Sequence, residues 1–194
     1  IFLPNSRRAL GLLGRNIFRN PSADLCLIGV TGTNGKTTVT FLLESIWKAA
    51  NISPGVIGTI NYRYGDRVLA APNTTPESFD LQRILREMAD SGVTHVIMEV
   101  SSHALDLGRV DDCLFRAGIF TNLTQDHLDY HKTMEDYFQA KRKLFNMLEL
   151  NNAPAVLNAD DPWSERLERE TKGPVLTYGI DRKAEVSAFQ PRLS

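Results

Sequence analysis

The feature that most constrains the fold is an apolar run followed by a loop rich in glycine and threonine and then by an amphipathic helix. The run LCLIGV has the composition of a buried strand, and the loop GVTGTNGKTT overlaps its end. The next segment, TTVTFLLESIWKAA, carries apolar residues at helical spacing, namely Val39, Leu42, Leu43, Ile46 and Ala50. A phosphate-binding loop requires this order of strand, loop and helix, because the start of the helix directs backbone N–H groups at the anion.

The spacing of the loop departs from the usual phosphate-loop pattern, G-x-x-x-x-G-K-[ST]. Five residues instead of four separate Gly29 from Gly35. The end of the loop keeps the required chemistry, since Gly32 and Gly35 permit the backbone to approach a phosphate closely. Lys36 supplies a positive charge, and Thr37 supplies a hydroxyl within reach of Mg²⁺. An ordinary turn before a capped helix is the alternative, but the flanking strand and helix favour a nucleotide site.

Segments typical of strands and helices alternate along the rest of the chain. TINYRYGDRVLA, with Gly65 and Asp66 at its centre, predicts a β-hairpin. THVIMEV, AGIFTNL and APAVLN predict strands, and TMEDYFQAKRKLFNMLEL predicts a helix. We therefore predict an α/β fold with a mostly parallel sheet and helices on both faces.

Two more helices are predicted from their patterns. An opening helix over Ser6 to Phe18 places four apolar residues on one face, which are Leu10, Leu13, Ile17 and Phe18. TTPESFDLQRILREMADSG predicts a helix capped by Thr75, with Pro76 and Glu77 in its first turn and Gly92 at its end. The buried stripe of this helix is predicted to comprise Leu81, Ile84, Leu85 and Met88.

The composition is that of a soluble globular protein. With 22 basic and 23 acidic residues the net charge is −1, which provides no general attraction to nucleic acid or to an anionic membrane. Cys26 and Cys113 lack metal-ligand spacing, and we expect both to be buried free thiols. No apolar stretch is long enough to span a bilayer, so we predict a cytoplasmic protein without nucleic-acid or membrane partners.

A lysine lies inside the apolar stripe of the helix that begins near Met134. The residues that share this stripe are Met134, Tyr137, Phe138, Phe145 and Leu148. Lys141 lies at the centre of the stripe, whereas Lys143 points to the opposite side. Because a buried ammonium group is costly, Lys141 must reach solvent, pair with a carboxylate or be chemically altered.

Two other polar residues follow predicted strands. Glu99 ends THVIMEV, and His127 follows AGIFTNL, 14 residues before Lys141. Because parallel strands end at the same edge of a sheet, Thr37, Glu99 and His127 are candidates for one Mg²⁺ site. Each also has an ordinary explanation, Glu99 as an ion-pair partner and His127 as a surface or core histidine. The spacing of His127 and His131 lacks the glutamate motif of zinc proteases, so zinc is not predicted.

Six segments occur in an order that points to a known family. They are GVTGTNGKTT, NTTPESFDLQ, MEVSSHALDLGRV, TNLTQDHLDYH, YFQAKRKLF and NADDP, between about Leu25 and about Pro162. Together they resemble the central domain of the Mur ligases, and most closely that of the MurE-type UDP-N-acetylmuramoyl-L-alanyl-D-glutamate ligases of peptidoglycan synthesis. The resemblance implies the P-loop NTPase-like fold of that domain.

The resemblance also implies roles for individual residues. The ATP-binding residues would be Gly32, Thr33, Asn34, Gly35, Lys36, Thr37, Thr38 and Asn122. The Mg²⁺ ligands would be Thr37, Glu99, His127 and Lys141, the last as the carbamate that a lysine forms with CO₂. The substrate contacts would be Asn73, Thr74, Thr75, Ser101 and Arg109, and the catalytic residues would be Lys36, His127 and Lys141. Leu107 occupies a position at which some MurE proteins have glutamine.

The implied activity is an amide ligation driven by ATP. The D-glutamyl carboxylate of a UDP-N-acetylmuramoyl dipeptide attacks the γ-phosphate, and the amine of a diamino acid, meso-diaminopimelate or L-lysine, then displaces phosphate. A related ligase, such as a folylpolyglutamate synthase, is one alternative. A catalytically silent MurE-like scaffold module is another.

A domain organisation follows from the same resemblance. Residues 1–24 correspond to a linker and helix that follow a UDP-binding first domain, and residues 25–194 correspond to the ATP-binding domain. The amino-acid-binding third domain of the family has no counterpart in the sequence. We therefore expect the chain to be a fragment that binds nucleotide and does not ligate by itself.

Overall fold

The computed structural model describes residues 6–126 and 128–188. Within these ranges the α-helices are α1 (Ser6–Ile17), α2 (Lys36–Ala49), α3 (Ser78–Asp90), α4 (Ser102–Asp106), α5 (Leu128–His131), α6 (Met134–Glu149) and α7 (Pro162–Glu170). The strands are β1 (Cys26–Thr31), β2 (Gly55–Ile57), β3 (Asn61–Tyr64), β4 (Arg67–Ala70), β5 (His95–Glu99), β6 (Ala117–Phe120), β7 (Ala155–Asn158), β8 (Val175–Gly179) and β9 (Val186–Ser187).

The described strands form one sheet in the order β4-β3-β2-β5-β1-β6-β7-β8-β9. The β2–β3 and β3–β4 pairs are antiparallel and the other pairs are parallel, so the predicted hairpin and mostly parallel sheet are confirmed. Strand β1 is central, with Val30 opposite Glu99 of β5 and Thr31 opposite Phe120 of β6. The carboxyl ends of these three strands therefore meet at one edge of the sheet.

Helices cover both faces of the sheet, as predicted. On one face α2 packs on three fully buried strand residues, Val30, Val56 and Ile97, through Val39, Leu43 and Trp47. On the other face α3, α6 and α7 enclose the larger core. The predicted stripe of α3 is confirmed, because its four members, Leu81, Ile84, Leu85 and Met88, are all buried. Four of the five residues of the predicted α6 stripe are buried and Met134 is partly buried, with Lys141 among the buried residues of the helix.

The first helix packs through its small residues instead of its large ones. Gly11 and Gly14 are the buried residues of α1, and a Cβ atom at Gly14 would lie 3.3 Å from the backbone of Phe79 on α3. Glycine thus permits a close approach of the two helices. The residues predicted to share one face, Leu10, Leu13 and Ile17, are each about half exposed, and the helix ends before Phe18.

The predicted start of α3 is wrong by two residues. The helix begins at Ser78, and its N-cap residue is Glu77, whose backbone is extended. Thr75 does not cap it, because the Thr75 hydroxyl contacts the end of β5. That hydroxyl donates a hydrogen bond to the Glu99 carbonyl at 2.9 Å and accepts one from the Ser101 N–H at 3.1 Å. A tertiary contact has therefore displaced the local capping role.

The two cysteines are free thiols, as predicted, but only one is buried. Burial raises the pKa of the Cys113 thiol to about 12. Cys26 is partly exposed at the start of β1. None of the helices in the described ranges is both long and apolar enough to cross a membrane.

Candidate functional site

The loop after β1 lies where three parallel strands end. Strand β1 leads into residues 32–35, and α2 begins directly afterwards at Lys36. Glu99 ends β5, and Thr121 and Asn122 follow β6. Because β5, β1 and β6 are neighbours, their three following segments converge around the start of α2. The predicted order of strand, loop and helix is confirmed.

The two central glycines of the loop have positive φ angles. Gly32 has a φ of +152° and Gly35 has a φ of +84°. A Cβ atom at Gly32 would lie 1.8 Å from Thr121 Oγ1, so a side chain does not fit there. Gly35 is the N-cap residue of α2, and no described side chain caps the helix at this position. The first N–H groups of α2 therefore lack intrahelical partners.

The loop is held by residues that follow β6. Thr121 Oγ1 donates to the Asn34 carbonyl at 2.6 Å. The Asn122 carbonyl accepts from Thr33 N–H and its Oδ1 accepts from Asn34 N–H, each at 2.9 Å. Thr33 Oγ1 shares a hydrogen bond of 3.2 Å with the hydroxyl of Tyr137 on α6. Asn122 thus supports the loop, and it is not among the described residues that line the neighbouring cavity.

Two lysines converge on one carbonyl oxygen of the loop. Lys36 Nζ donates to the carbonyls of Gly32 and Thr33, each at 2.8 Å. Lys141 Nζ donates to the same Gly32 carbonyl at 2.8 Å. Burial lowers the pKa of both amines, and the neighbouring charge of Lys36 lowers the pKa of Lys141 further, to well below its ordinary value of 10.5. The site therefore disfavours a second positive charge beside Lys36.

Lys141 is buried, and no carboxylate in the described part of the chain pairs with it. Its exposed fraction is 2%, and its Nζ lies 4.3 Å from the centre of the Tyr137 ring. No carboxylate in the described ranges forms an ion pair with it, although the charge of Asp126 favours its protonated form. Lys143, by contrast, is exposed and pairs with Asp106 at 2.8 Å. The described residues therefore support neither solvent exposure nor a carboxylate partner as the explanation for Lys141.

The Glu99 carboxylate is buried beside the start of α2, with an exposed fraction of 1%. Its Oε1 accepts hydrogen bonds from Thr37 Oγ1 at 2.9 Å and from Thr59 N–H at 3.1 Å, and its Oε2 accepts one from Thr59 Oγ1 at 3.1 Å. Carboxylate and hydroxyl oxygens are the donors that Mg²⁺ prefers, so Glu99 and Thr37 fit the predicted metal site. The predicted ligand His127 lies outside the described residues.

The described residues supply only part of a metal coordination sphere. Among residues 6–126 and 128–188, no group of three or more histidine, cysteine, aspartate or glutamate side chains could hold a metal ion. Within the described residues, hydroxyl groups such as that of Thr37 could add ligands to Glu99, and phosphate oxygens of a nucleotide or water could supply others.

A cavity of about 500 Å³ connects the loop to most of the residues predicted to contact substrate. We call the end beside the loop the nucleotide end, after its predicted role, and it is lined by Thr33, Asn34, Gly35, Lys36, Thr37, Thr38 and Glu99. The opposite end, which we call the substrate end after the predicted contacts that it contains, is lined by Asn73, Thr74, Ser101, His103, Leu107 and Arg109. Thr59 also lines the cavity. The two groups of predicted residues thus share one continuous space.

The wall at the substrate end is built by polar contacts. Arg109 Nη1 donates to the Thr75 carbonyl at 3.0 Å, and its Nη2 pairs with Glu77 at 2.7 Å. Ser101 Oγ accepts from Ala104 N–H at 3.1 Å and so caps α4. Thr75 is fully buried and does not line the cavity, so a direct substrate contact by its side chain stays a prediction. Its observed contacts shape the wall instead.

Sequence reasoning missed Thr59 and Thr121. Thr59 is the second residue after β2 and Thr121 is the first after β6. Glu99 could be predicted because it ends a long apolar run, whereas Thr59 follows β2, a strand of only three residues. The sequence signal that could have identified both threonines is their position, since polar residues just beyond the parallel strands lie at the same edge of the sheet.

Together, the topology and the loop define an α/β domain of the phosphate-loop class. The model of one family, described as the Mur ligase middle domain, matches residues 30–192. The chain therefore belongs to the Mur ligase family.

Two related proteins show which type of Mur ligase the chain is similar to. A protein of Geobacter metallireducens is 47% identical over 189 residues, covering 95% of this chain and 37% of that protein. A protein of Geobacillus thermodenitrificans is 50% identical over 195 residues, covering 98% of this chain and 40% of that protein. Both are named UDP-N-acetylmuramoyl-L-alanyl-D-glutamate--2,6-diaminopimelate ligase.

A solved structure of a ligase with that name has a similar fold. Its TM-score is 0.82 at 30% sequence identity, and the alignment covers 96% of this chain and 39% of the other. The chain thus spans about two fifths of the length of the relatives that it matches.

Proposed function

We propose that the chain is the nucleotide-binding part of an ATP-dependent ligase that joins 2,6-diaminopimelate to UDP-N-acetylmuramoyl-L-alanyl-D-glutamate. One observation carries the proposal: a single cavity joins the phosphate-type loop and the Glu99 carboxylate to the polar residues of the substrate end. The names of relatives that are 47% and 50% identical support the choice of substrates. A reaction of ATP with a UDP-linked precursor also fits the predicted cytoplasmic location.

The start of α2 would hold the ATP phosphates. Backbone N–H groups at a helix N-terminus attract anions, and the glycines of the loop leave room for a phosphate. Lys36 now donates to two carbonyls of its own loop. An incoming phosphate would offer the ammonium group a charged acceptor in their place, which gives a stronger hydrogen bond. Lys36 would thereby offset the charge that develops during phosphoryl transfer.

Thr37 and Glu99 would hold Mg²⁺ beside these phosphates. Their oxygen atoms already lie 2.9 Å apart at the end of the cavity. When bound, Mg²⁺ neutralises phosphate charge and orients the phosphoryl group. His127 stays a predicted further ligand.

The substrate end would orient the D-glutamyl carboxylate toward the γ-phosphate. Attack of that carboxylate gives an acyl phosphate and ADP. The diaminopimelate amine then attacks the acyl carbon and loses a proton to water, and the tetrahedral intermediate expels phosphate to leave an amide. The proposed contacts that fix the precursor during both steps are Asn73, Thr74, Ser101 and Arg109. Their contribution is to hold the reacting groups in line.

We also propose that Lys141 is carbamylated. The buried amine has a lowered pKa, so its neutral form is available to attack CO₂, giving the carbamate with loss of one proton. The product is an anion beside Lys36 instead of a second cation. ¹³C NMR in labelled bicarbonate tests this: the unaltered chain and Lys143→Met should show a carbamate signal that Lys141→Met lacks. The same spectrum from all three proteins would refute the modification.

Nucleotide binding is tested by titrating the 194-residue chain with Mg·ATP in a calorimeter. Lys36→Ala should weaken binding at least about tenfold, the effect of losing one hydrogen bond to a charged group. Lys48→Ala is the matched control, because Lys48 lies on the same helix and is exposed. Equal affinities of the two variants for Mg·ATP would show that Lys36 does not contribute to the nucleotide site.

The ligase reaction is tested in the full-length protein by following phosphate release. Release should require both UDP-N-acetylmuramoyl-L-alanyl-D-glutamate and diaminopimelate. Release with a folate substrate in place of the UDP-linked dipeptide would contradict the proposed specificity, and no release with any substrate would favour a scaffold module.

A further inference from the structure

Thr59 holds the Glu99 carboxylate with two groups. Its backbone N–H donates to Oε1 and its hydroxyl donates to Oε2, both at 3.1 Å. The third hydrogen bond to this carboxylate comes from Thr37. A Cβ atom at the adjacent Gly58 would lie 2.4 Å from Oε1, so the β2 end and the carboxylate are in close contact. Thr59 therefore contributes most of the polar contacts that orient Glu99 in the described structure.

The same hydroxyl also contacts the substrate end. Thr59 Oγ1 lies 3.0 Å from Thr74 Oγ1. A carboxylate can only accept hydrogen bonds, so the single hydroxyl proton of Thr59 is directed to Glu99. The hydroxyl of Thr74 must then donate to Thr59. The result is a directed chain from Thr74 through Thr59 to Glu99.

The segment that carries Thr74 has a second attachment to Glu99. The next residue, Thr75, donates to the Glu99 carbonyl. The backbone of Glu99 is thus tied to the segment through Thr75, and its carboxylate is tied to the segment through Thr59. A ligand that moves or fixes Thr74 therefore affects both the hydrogen bond to the Glu99 backbone and the hydrogen bonds to its carboxylate.

From these contacts we infer that Thr59 is a positioning residue that couples precursor binding at the substrate end to Mg·ATP binding at the nucleotide end. The inference rests on the proposed function. Thr59 acts through Glu99. When the precursor fixes Thr74, the hydrogen-bond chain from Thr74 through Thr59 holds the carboxylate oxygens of Glu99 in the orientation in which they contact the Mg·ATP complex. Coupling of this kind is reciprocal, so Mg·ATP strengthens precursor binding by the same factor.

Two substitutions separate the hydroxyl from the rest of the side chain. Thr59→Val keeps the shape and the backbone N–H but removes the hydroxyl, whereas Thr59→Ser keeps the hydroxyl. Thr171→Val is the matched control, because Thr171 Oγ1 also makes a hydrogen bond, at 2.7 Å to the Leu167 carbonyl at the end of α7, and Thr171 does not line the cavity. Thermal unfolding of each variant checks that it is folded.

The measurement is Mg·ATP affinity by calorimetry in the full-length protein, with and without saturating UDP-N-acetylmuramoyl-L-alanyl-D-glutamate. We expect the precursor to raise the affinity about fivefold or more in the unaltered protein, in Thr59→Ser and in Thr171→Val. In Thr59→Val we expect the affinity to fall about tenfold and the effect of the precursor to disappear.

The outcomes distinguish this inference from the proposed function. If the unaltered protein binds Mg·ATP, Lys36→Ala binds it more weakly, and Thr59→Val keeps the effect of the precursor, the coupling role of Thr59 is refuted while the nucleotide site stands. If Thr59→Ser behaves as Thr59→Val does, the methyl group and not the hydroxyl is responsible, which also refutes the inference. If the unaltered protein binds neither ligand, the proposed function fails and the inference fails with it.

Discussion

Replacing Gly32 with alanine tests the geometry of the loop most directly. The new Cβ atom would lie 1.8 Å from Thr121 Oγ1, whereas ordinary contacts begin at 3.4 Å. Thr121 cannot withdraw without losing its hydrogen bond to the Asn34 carbonyl. Overpacking costs about 1–3 kcal/mol and the positive φ costs a similar amount, while alanine lowers the entropy of the unfolded chain by about 0.4–1 kcal/mol. We expect Gly32→Ala to destabilise the chain by about 2–4 kcal/mol.

Gly65→Ala provides the matched control for this substitution. Gly65 also has a positive φ, +51°, but a Cβ atom there would meet no atom within 4 Å. Its cost should therefore be about 1 kcal/mol, from the backbone alone. Urea denaturation gives both free energies of unfolding, and calorimetry gives the affinity for Mg·ATP. Only Gly32→Ala should lose nucleotide binding. Equal losses of stability in the two variants would refute the close contact between Gly32 and Thr121.

Three further substitutions or reagents give distinct expectations. Lys141→Met should stabilise the chain by about 1–3 kcal/mol at pH 7 in CO₂-free buffer, because it removes an amine that on folding must either bury its charge or give up its proton. Since the pKa of Lys141 lies below its ordinary 10.5 in the folded chain, the unfolded chain binds more protons between the two values, and the stability of the unaltered chain rises with pH. The advantage of methionine should therefore shrink by pH 10 in urea denaturation; an advantage that grows with pH would contradict the burial argument. Gly58→Ala should displace the Glu99 carboxylate and weaken Mg·ATP binding about tenfold without unfolding the chain, as calorimetry and circular dichroism would show, and an unchanged affinity would contradict the close contact. With the pKa of Cys113 raised to about 12, a thiol reagent at pH 8 should label Cys26 alone until the chain is unfolded, and rapid labelling of both thiols would show that Cys113 is accessible.

The fold was largely predictable because its main signals are local. The strand before Gly32 and the helix after Gly35 follow from hydrophobic periodicity, and so do the stripes of α3 and α6. The anomaly of Lys141 was visible for the same reason, since a lysine interrupts an otherwise apolar face. Its close approach to the Gly32 carbonyl was not visible, because it depends on how α6 packs under the loop.

The errors arise where tertiary contacts override local preferences. Thr75 has the chemistry of a helix cap, but its hydroxyl contacts β5 and the start of α4 instead. The large residues of α1 suggested a buried face, yet Gly11 and Gly14 allow the closer contact with α3 and leave Leu10 about half exposed. Thr59 follows a strand too short to be recognised from its pattern, so its two hydrogen bonds to Glu99 had no local signal.

The position of β1 has a consequence for the order in which the protein acquires its structure during synthesis. This strand leaves the ribosome before its two partners, which begin at His95 and Ala117, and before Thr121 and Asn122, whose hydroxyl and amide groups hold the following loop. A nascent chain that ends before these residues lacks one neighbour of its central strand and the support of the loop. The capacity to bind a phosphate is therefore acquired only after Asn122 has been synthesised, in one step with the pairing of β1 and β6.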